Sequence, residues 1–408
     1  MPHGKFIAGF FIAALALATG NPVATGERLQ TPIDNPGFIH FFNNEYDEAL
    51  AYFDNQVKAR PNDPDQYNHV AQTILYRELF HDGALESQLV SGNSVFLKRS
   101  KLEMTAANKE RFGSCIKRAI TLSEARIRNN PQDLVAFYQL GVAHGLQANY
   151  FFLIDKAWMD SLREASAARK AQEQALAINP NFIDAHLILG VYQYVVGCLP
   201  FYLRAAGFIG GFHGDKEGGI RQLQLVASQG ILNCYDAKVI LAVIYRREHR
   251  PQQAIPLLQE LARQFDRNYL FRFEQVQMYS DLGDEKSALA VLSTIEGLRR
   301  AGAPGYEDLP AEKVQYVTGN LHFWYGDLDR ALQNLKQATG NVHQLDLSTA
   351  VMAWLRLGQV YDLQGKHREA VAAYRASMRT APSSDVAEEA KGYIANPYKK
   401  KPKEDGRS

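Results

Sequence analysis

Few residues in this sequence are spaced for catalysis or for metal binding. The two closest of the eleven histidines, His69 and His81, are twelve positions apart, so no histidine pair lies on one helical face as a zinc site requires. No G-x-S-x-G motif occurs, and the single S-x-x-K, from Ser114 to Lys117, lacks the S-D-N and K-T-G companions of the acyl transferases that use it. We therefore interpret Ser114 as a helix-surface serine and predict neither a metal site, nor a cofactor, nor a catalytic centre.

A cluster of glycines before a lysine suggests a phosphate-binding loop: Gly207, Gly210, Gly211 and Gly214 precede Asp215 and Lys216. The spacing differs from the G-x-x-x-x-G-K-[ST] of such loops, and no strand-like segment comes before it. A tight turn followed by a helix that opens at Asp215 accounts for the same residues without a ligand. We predict that turn.

The composition indicates a folded chain with no strong electrostatic partner. The 408 residues are 46% hydrophobic and 22% charged, and 45 basic against 44 acidic side chains give a net charge of +1. This balance provides no long-range field for nucleic acid or for an anionic membrane. Three cysteines, Cys115, Cys198 and Cys234, are an odd number, so at most one disulfide can form, and we expect small buried side chains instead.

The first residues are typical of an export signal. Lys5 precedes an apolar run from Phe6 to Leu15, and Ala16 and Ala18 provide the small residues of a cleavage site. The run is shorter than the roughly 20 residues of a membrane span. We predict cleavage after Ala18, a flexible lead-in over 19–35, and a mature protein in the periplasm or cell envelope.

A repeat organises the remaining sequence, and it is clearest over 351–384. Eight residues recur there at the offsets of a two-helix unit: Trp354, Leu357, Gly358, Tyr361, Gly365, Ala370, Tyr374 and Pro382. The apolar residues form a stripe on the first helix, the small residue lets the second helix approach, and proline ends the unit.

Weaker copies of this pattern begin at 235, 269 and 312, and the longer interval between the second and third falls on a loop rich in glycine and proline at 301–310. Upstream the pattern is divided by insertions. One first helix over 134–148 is separated from its partner by residues 149–163, and another over 183–197 is followed by residues 198–213. Further half-units begin at Tyr46 and Tyr67. We count about eight hairpins and expect no sheet.

The sequence therefore resembles the tetratricopeptide repeat family, closely over 235–384 and loosely over 36–234. The resemblance implies an all-α fold, a right-handed α-solenoid whose first helices line a concave groove for proteins or peptides. Residues 385–408 would form the end of a helix and a disordered basic tail. A second, local similarity to the eukaryotic tetratricopeptide 39 and inclusion-body-clearance family involves about twenty residues near Gly207, Phe208 and Gly219.

The family geometry also implies which side chains face the groove, namely Arg246, Arg247, Phe273, Gln277, Tyr316, Asn320, Phe323, Trp324 and Gln359. Aromatic rings beside arginine and amide groups suit the recognition of a peptide. The alternative for Tyr316 and Phe323 is packing against neighbouring hairpins, and for Arg246 it is simple solvation.

Two insertions allow a different function. Residues 199–212 contain four aromatic side chains and one charge, and residues 149–158 contain Tyr150, Phe151, Phe152 and Trp158, which we expect in the core. Together the insertions at 149–163 and 198–213 could shelter a small apolar or lipid-like ligand. The leading hypothesis remains an exported, non-enzymatic scaffold that binds a protein or peptide in its groove. The least favoured hypothesis is an enzyme whose active site is assembled from residues distant in the sequence.

Overall fold

The computed structural model describes residues 31–85, 104–198, 214–382 and 384–400. The expected export signal, most of the aromatic insertion after Cys198 and the end of the basic tail lie outside these residues. Within them every regular element is helical and no strand occurs. No helix of the described part is long and apolar enough to cross a membrane.

Seventeen α-helices follow one another in the described residues. In chain order they are α1 Pro36–Phe42, α2 Tyr46–Ala59, α3 Pro64–His81, α4 Ala106–Asn129, α5 Leu134–Tyr150, α6 Trp158–Ile178, α7 His186–Gly197, α8 Lys216–Gln229, α9 Cys234–Arg247, α10 Pro251–Gln264, α11 Tyr269–Asp281, α12 Glu285–Arg300, α13 Ala311–Tyr325, α14 Leu328–Gly340, α15 Leu347–Leu363, α16 His367–Thr380 and α17 Asp385–Ala395. They form pairs such as α5 with α6, α13 with α14 and α15 with α16, and α17 packs on α16. The predicted fold class, an all-α solenoid of about eight hairpins, is confirmed.

Small residues at the helix crossings explain why the hairpins form. Gly358 of α15 lies so close to the ring of Tyr374 that a Cβ atom there would be 2.4 Å from it, and Gly319 of α13 approaches Leu335 of α14 in the same way. The alanine expected at each crossing is fully buried, as at Ala331 and Ala370. The repeat offsets therefore mark the contacts between the two helices of a hairpin.

The connections within hairpins differ as the sequence predicts. Gly326 and Gly365 form short turns with left-handed φ angles of 85° and 74° in the regular hairpins. The link from α5 to α6 is longer and contains a π-helical turn, Phe151–Asp155, followed by Lys156 in the left-handed region. Phe152 of this turn is buried, but Trp158 is 51% exposed. The expectation that Trp158 belongs to the core is wrong, because it is the first residue of α6 and lies at a helix end.

Of the glycines in the turn that we predicted after α7, Gly214 lies within the described residues, and Gly207, Gly210 and Gly211 lie outside them. Asp215 is the N-cap residue of α8, although its carboxylate makes no capping hydrogen bond. Gly214 lies against the backbone of Val196 and Gly197, where no side chain would fit. A close approach of two backbones accounts for this glycine without a ligand.

The chain divides into two compact units, and the boundary lies within α11. Among the described residues, unit 1 comprises those up to Phe271 and unit 2 those from Arg272 to Lys400. Within unit 1, the first and fifth hairpins touch. Phe42 at the end of α1 stacks on Phe265 after α10, with ring centroids 4.7 Å apart. Asn268 Nδ2 donates to the Phe42 carbonyl oxygen at 2.8 Å, so the series of hairpins in unit 1 closes on itself.

Candidate functional site

Unit 1 contains a cluster of buried polar side chains on the first helices of its hairpins, α3, α5 and α9. Asp65 of α3, Asp184 and Asp236 of α9 are all buried, and their charges act on the hydroxyl of Tyr138, whose pKa burial raises well above its ordinary value. Asn233 Nδ2 donates to that hydroxyl oxygen at 2.7 Å. These side chains face one another inside unit 1 and are withdrawn from a macromolecular partner.

The predicted groove residues of α9 lie in unit 1, whereas those of α11 lie in unit 2. Arg246 is buried in α9, and Arg247 beside it is half-buried. Phe273 of α11 is also buried, whereas Gln277 Nε2 donates to Asp281 Oδ1 at 2.7 Å on the helix surface.

The other five predicted groove residues lie on two adjacent first helices of unit 2. Tyr316, Asn320, Phe323 and Trp324 belong to α13, and Gln359 belongs to α15. Phe323 is fully buried, while Trp324 is 48% exposed and so is available to a partner. The amide oxygen of the buried Asn320 has no hydrogen-bond partner among the described residues.

Arg356 of α15 connects these residues, although it is not among the residues that the family geometry places in the groove. Its guanidinium carbon lies 4.2 Å from the ring centroid of Phe323 and 4.8 Å from that of Trp324. Its Nη1 donates to Gln359 Oε1 at 2.7 Å. We call Arg356, Phe323, Trp324, Gln359 and the neighbouring Tyr316 the aromatic–arginine site.

The guanidinium of this site is buried and forms no direct ion pair within the described residues, although the charge of Glu389 acts on it. Arg356 is only 7% exposed, and burial lowers its pKa from the ordinary value. No carboxylate of the described residues forms an ion pair with it, and its Nε donor has no acceptor there. A buried cation without an anion is costly, and two cation–π contacts of about 2 kcal/mol each when desolvated offset only part of this cost.

The segment that follows α17 covers the site. The ring centroid of Tyr398 lies 6.0 Å from the ring centroid of Phe323 and 5.2 Å from that of Tyr393. Lys400 Nζ donates to the backbone carbonyl oxygen of Trp324 at 3.0 Å. The carbonyls at the end of α13 carry the negative end of its helix dipole, which favours this cation.

A buried carboxylate at the end of α15 holds the same segment. Asp362 Oδ2 accepts hydrogen bonds from the Tyr374 hydroxyl and from the backbone N–H of Tyr398, both at 2.7 Å. Asp362 Oδ1 lies 2.7 Å from His367 Nδ1, and this hydrogen bond raises the pKa of His367. The carboxylate therefore connects α15, α16 and the C-terminal segment.

Chemical groups for catalysis or metal binding are sparse in the described residues. No group of three histidine, cysteine, aspartate or glutamate side chains there could hold a metal ion. Cys115, Cys198 and Cys234 are half-buried and unpaired in the structure, and burial raises each thiol pKa to about 11. Such thiols are poor nucleophiles at neutral pH.

A sequence comparison relates part of the chain to a known family. Residues 316–385 match the model of the tetratricopeptide repeat family, and this range includes most of α13, all of α14 to α16 and the whole aromatic–arginine site. No curated protein matches the chain by sequence.

Solved structures with a similar arrangement of helices share little sequence with this chain. The Cut9–Hcn1 hetero-tetramer of the APC/C is 14% identical with a TM-score of 0.47, and the match covers 88% of this chain and 54% of that one. This chain therefore spans about half the length of that relative. YrrB, described as a TPR protein with an unusual peptide-binding site, is 15% identical with a TM-score of 0.32, and the match covers 66% of this chain and 97% of that one.

Proposed function

We propose that the chain is a non-enzymatic tetratricopeptide repeat scaffold that binds a protein or peptide segment at the aromatic–arginine site of unit 2. The match over 316–385 supports a repeat fold of the interaction type in this part of the chain. The observation that carries the proposal is the buried guanidinium of Arg356, which contacts two rings, forms no ion pair among the described residues and has an Nε donor without an acceptor there.

The chemistry of the site indicates the kind of partner. A carboxylate brought by a partner would accept from the free Nε donor of Arg356 and neutralise the buried cation, which strengthens a charge-assisted hydrogen bond in a low-dielectric site. The half-exposed Trp324 provides a rigid apolar surface beside it. We infer that the partner segment carries an acidic group next to an apolar residue.

The sequence supports export of this scaffold, since Lys5, the apolar run to Leu15 and the small residues Ala16 and Ala18 form a signal pattern. We propose a periplasmic or envelope location on that basis. The alternative function, a carrier of a small apolar ligand, depends on residues 198–213, nearly all of which lie outside the described part of the chain.

A capture experiment with matched tryptophan variants tests the binding site. Trp324 in unit 2 and Trp158 in unit 1 are 48% and 51% exposed, so alanine at either position removes a similar exposed surface, and circular dichroism would check that each variant is folded. Each variant and the wild type would be used to capture proteins from an envelope extract, followed by quantitative mass spectrometry.

We expect Trp324→Ala to reduce the recovery of at least one companion about tenfold, because central aromatic residues contribute about 2 kcal/mol or more to interfaces. Trp158→Ala should recover that companion at the wild-type level. Equal recovery of every companion by the wild type and by both variants would contradict the assignment of the site.

A further inference from the structure

The C-terminal segment 396–400 makes the contacts that a bound peptide would make. Its backbone donates to a buried carboxylate, its aromatic side chain packs on Phe323, and its lysine donates to the carbonyl oxygen of Trp324. The segment begins after α17 ends at Ala395 and forms no regular element. It is therefore attached to the site by side-chain contacts and single hydrogen bonds, not by packing of a helix.

From these contacts we propose that segment 396–400 is an internal ligand of the aromatic–arginine site and that a partner binds only in competition with it. This inference rests on the proposed function for the identity of the competitor. The binding of the segment to the site is supported independently by the contacts of Tyr398 and Lys400 and by the hydrogen bond to Asp362.

The segment has few buried contacts, so its dissociation from the site should cost little free energy. Four of its five residues are exposed, and only Tyr398 is half-buried. Segments with few buried contacts open at a small free-energy cost compared with global unfolding. Tyr398 also brings no negative charge to Arg356, so the guanidinium keeps its unmet Nε donor while the segment is bound. A partner with a carboxylate can gain an interaction that the internal segment does not provide.

Competition lowers the affinity of any ligand by the fraction of molecules in which the site is open. A covalently linked segment has an effective concentration in the millimolar range for a short connection. A peptide added at micromolar concentration must therefore bind the wild type much more weakly than a variant whose own segment is released.

The experiment uses the full chain and a fluorescein-labelled peptide with the sequence of residues 391–400. Fluorescence anisotropy would measure its binding to the wild type, to Tyr398→Ala and to Lys400→Ala. Lys399→Ala is the matched control, because Lys399 is exposed in the same segment and makes no described contact. A peptide with alanine at the position of Tyr398 controls for non-specific binding.

We expect Tyr398→Ala to bind the labelled peptide at least about tenfold more tightly than the wild type and the Lys399→Ala control. Lys400→Ala, which loses an exposed side chain and leaves the core intact, should show an intermediate gain even if Tyr398→Ala folds poorly. Equal affinities for all four proteins, or no binding by any of them, would overturn the inference.

The result separates the two proposals. The peptide measurement needs no natural partner. It therefore tests whether the C-terminal segment occupies the site, even when the capture experiment finds no companion that depends on Trp324. Conversely, a companion that depends on Trp324 and is recovered equally by the wild type and Tyr398→Ala would refute competition and leave the proposed function in place.

Discussion

Substitution of Gly358 tests whether the repeat offsets mark close helix contacts. A Cβ atom at this position would lie 2.4 Å from Tyr374 Cε1 and 2.6 Å from Cδ1, whereas carbon atoms in contact are about 3.5–4.0 Å apart. The ring of Tyr374 must therefore move by about 1 Å. It is fully buried, and its hydroxyl donates to Asp362 at 2.7 Å, so the movement strains both packing and a charge-assisted hydrogen bond.

The magnitude follows from three effects. Overpacking of a core costs about 1–3 kcal/mol, and a weakened hydrogen bond to a charged group costs about 1.5 kcal/mol or more. Alanine gains about 1 kcal/mol over glycine within a helix. We expect Gly358→Ala to lower the free energy of unfolding of unit 2 by about 2–3 kcal/mol.

Gly297 provides the matched control in the same unit. It lies within α12, and a Cβ atom there would meet nothing within 4 Å, so Gly297→Ala should raise stability by about 0.5–1 kcal/mol. Urea unfolding would be followed by the fluorescence of Trp324 and Trp354 in a Trp158→Phe background, which reports on unit 2. The reasoning about crossings would be refuted if Gly358→Ala were as stable as Gly297→Ala.

Three further predictions concern protonation and processing. Burial lowers the pKa of His69 to about 3, so its contribution to the stability of unit 1 is complete above about pH 6.5 and is lost progressively as the pH falls towards 3; urea titrations should show that His69→Gln flattens this loss. The hydrogen bond to Asp362 raises the pKa of His367, so the stability from charged His367 is complete below about pH 6.5 and is lost as the pH rises through the raised pKa. Hydrogen exchange corrected for intrinsic rates should then show faster opening of residues 394–398 at alkaline pH, and no such change in His367→Gln. Sequencing of the mature protein from its native host should begin at Thr19, and an intact Met1 would contradict the export signal.

The local part of the structure is predictable from the sequence. Gly358, Ala370 and Tyr374 belong to one hairpin, and their spacing follows from helix periodicity and from the closeness of two adjacent helices. The same periodicity places Tyr316, Phe323 and Gln359 on first helices. It also explains why the number of hairpins could be predicted although insertions divide several of them.

The contacts between distant parts of the chain could not be predicted in this way. Tyr398 meets the side chain of an aspartate 36 positions earlier, and Lys400 meets a carbonyl 76 positions earlier. Arg356 lies outside the family's groove positions. The signal that could have identified it is its charge, since it is the single charged residue between Ala350 and Tyr361. The burial of Phe323 also depends on the segment after α17, which packs Tyr398 against it. The offsets of the repeat do not specify this contact.

The contact between Phe42 and Phe265 has a consequence for how unit 1 loses its structure. In a linear array each hairpin touches only its neighbours, and unravelling can start from either end. Here the hydrogen bond from Asn268 to Phe42 links the first and fifth hairpins. Neither of these hairpins can therefore unfold without exposing the ring that the other contributes to the stack of Phe42 on Phe265. Unit 1 should accordingly melt as a single block, and removal of α1 should loosen the fifth hairpin more than the third.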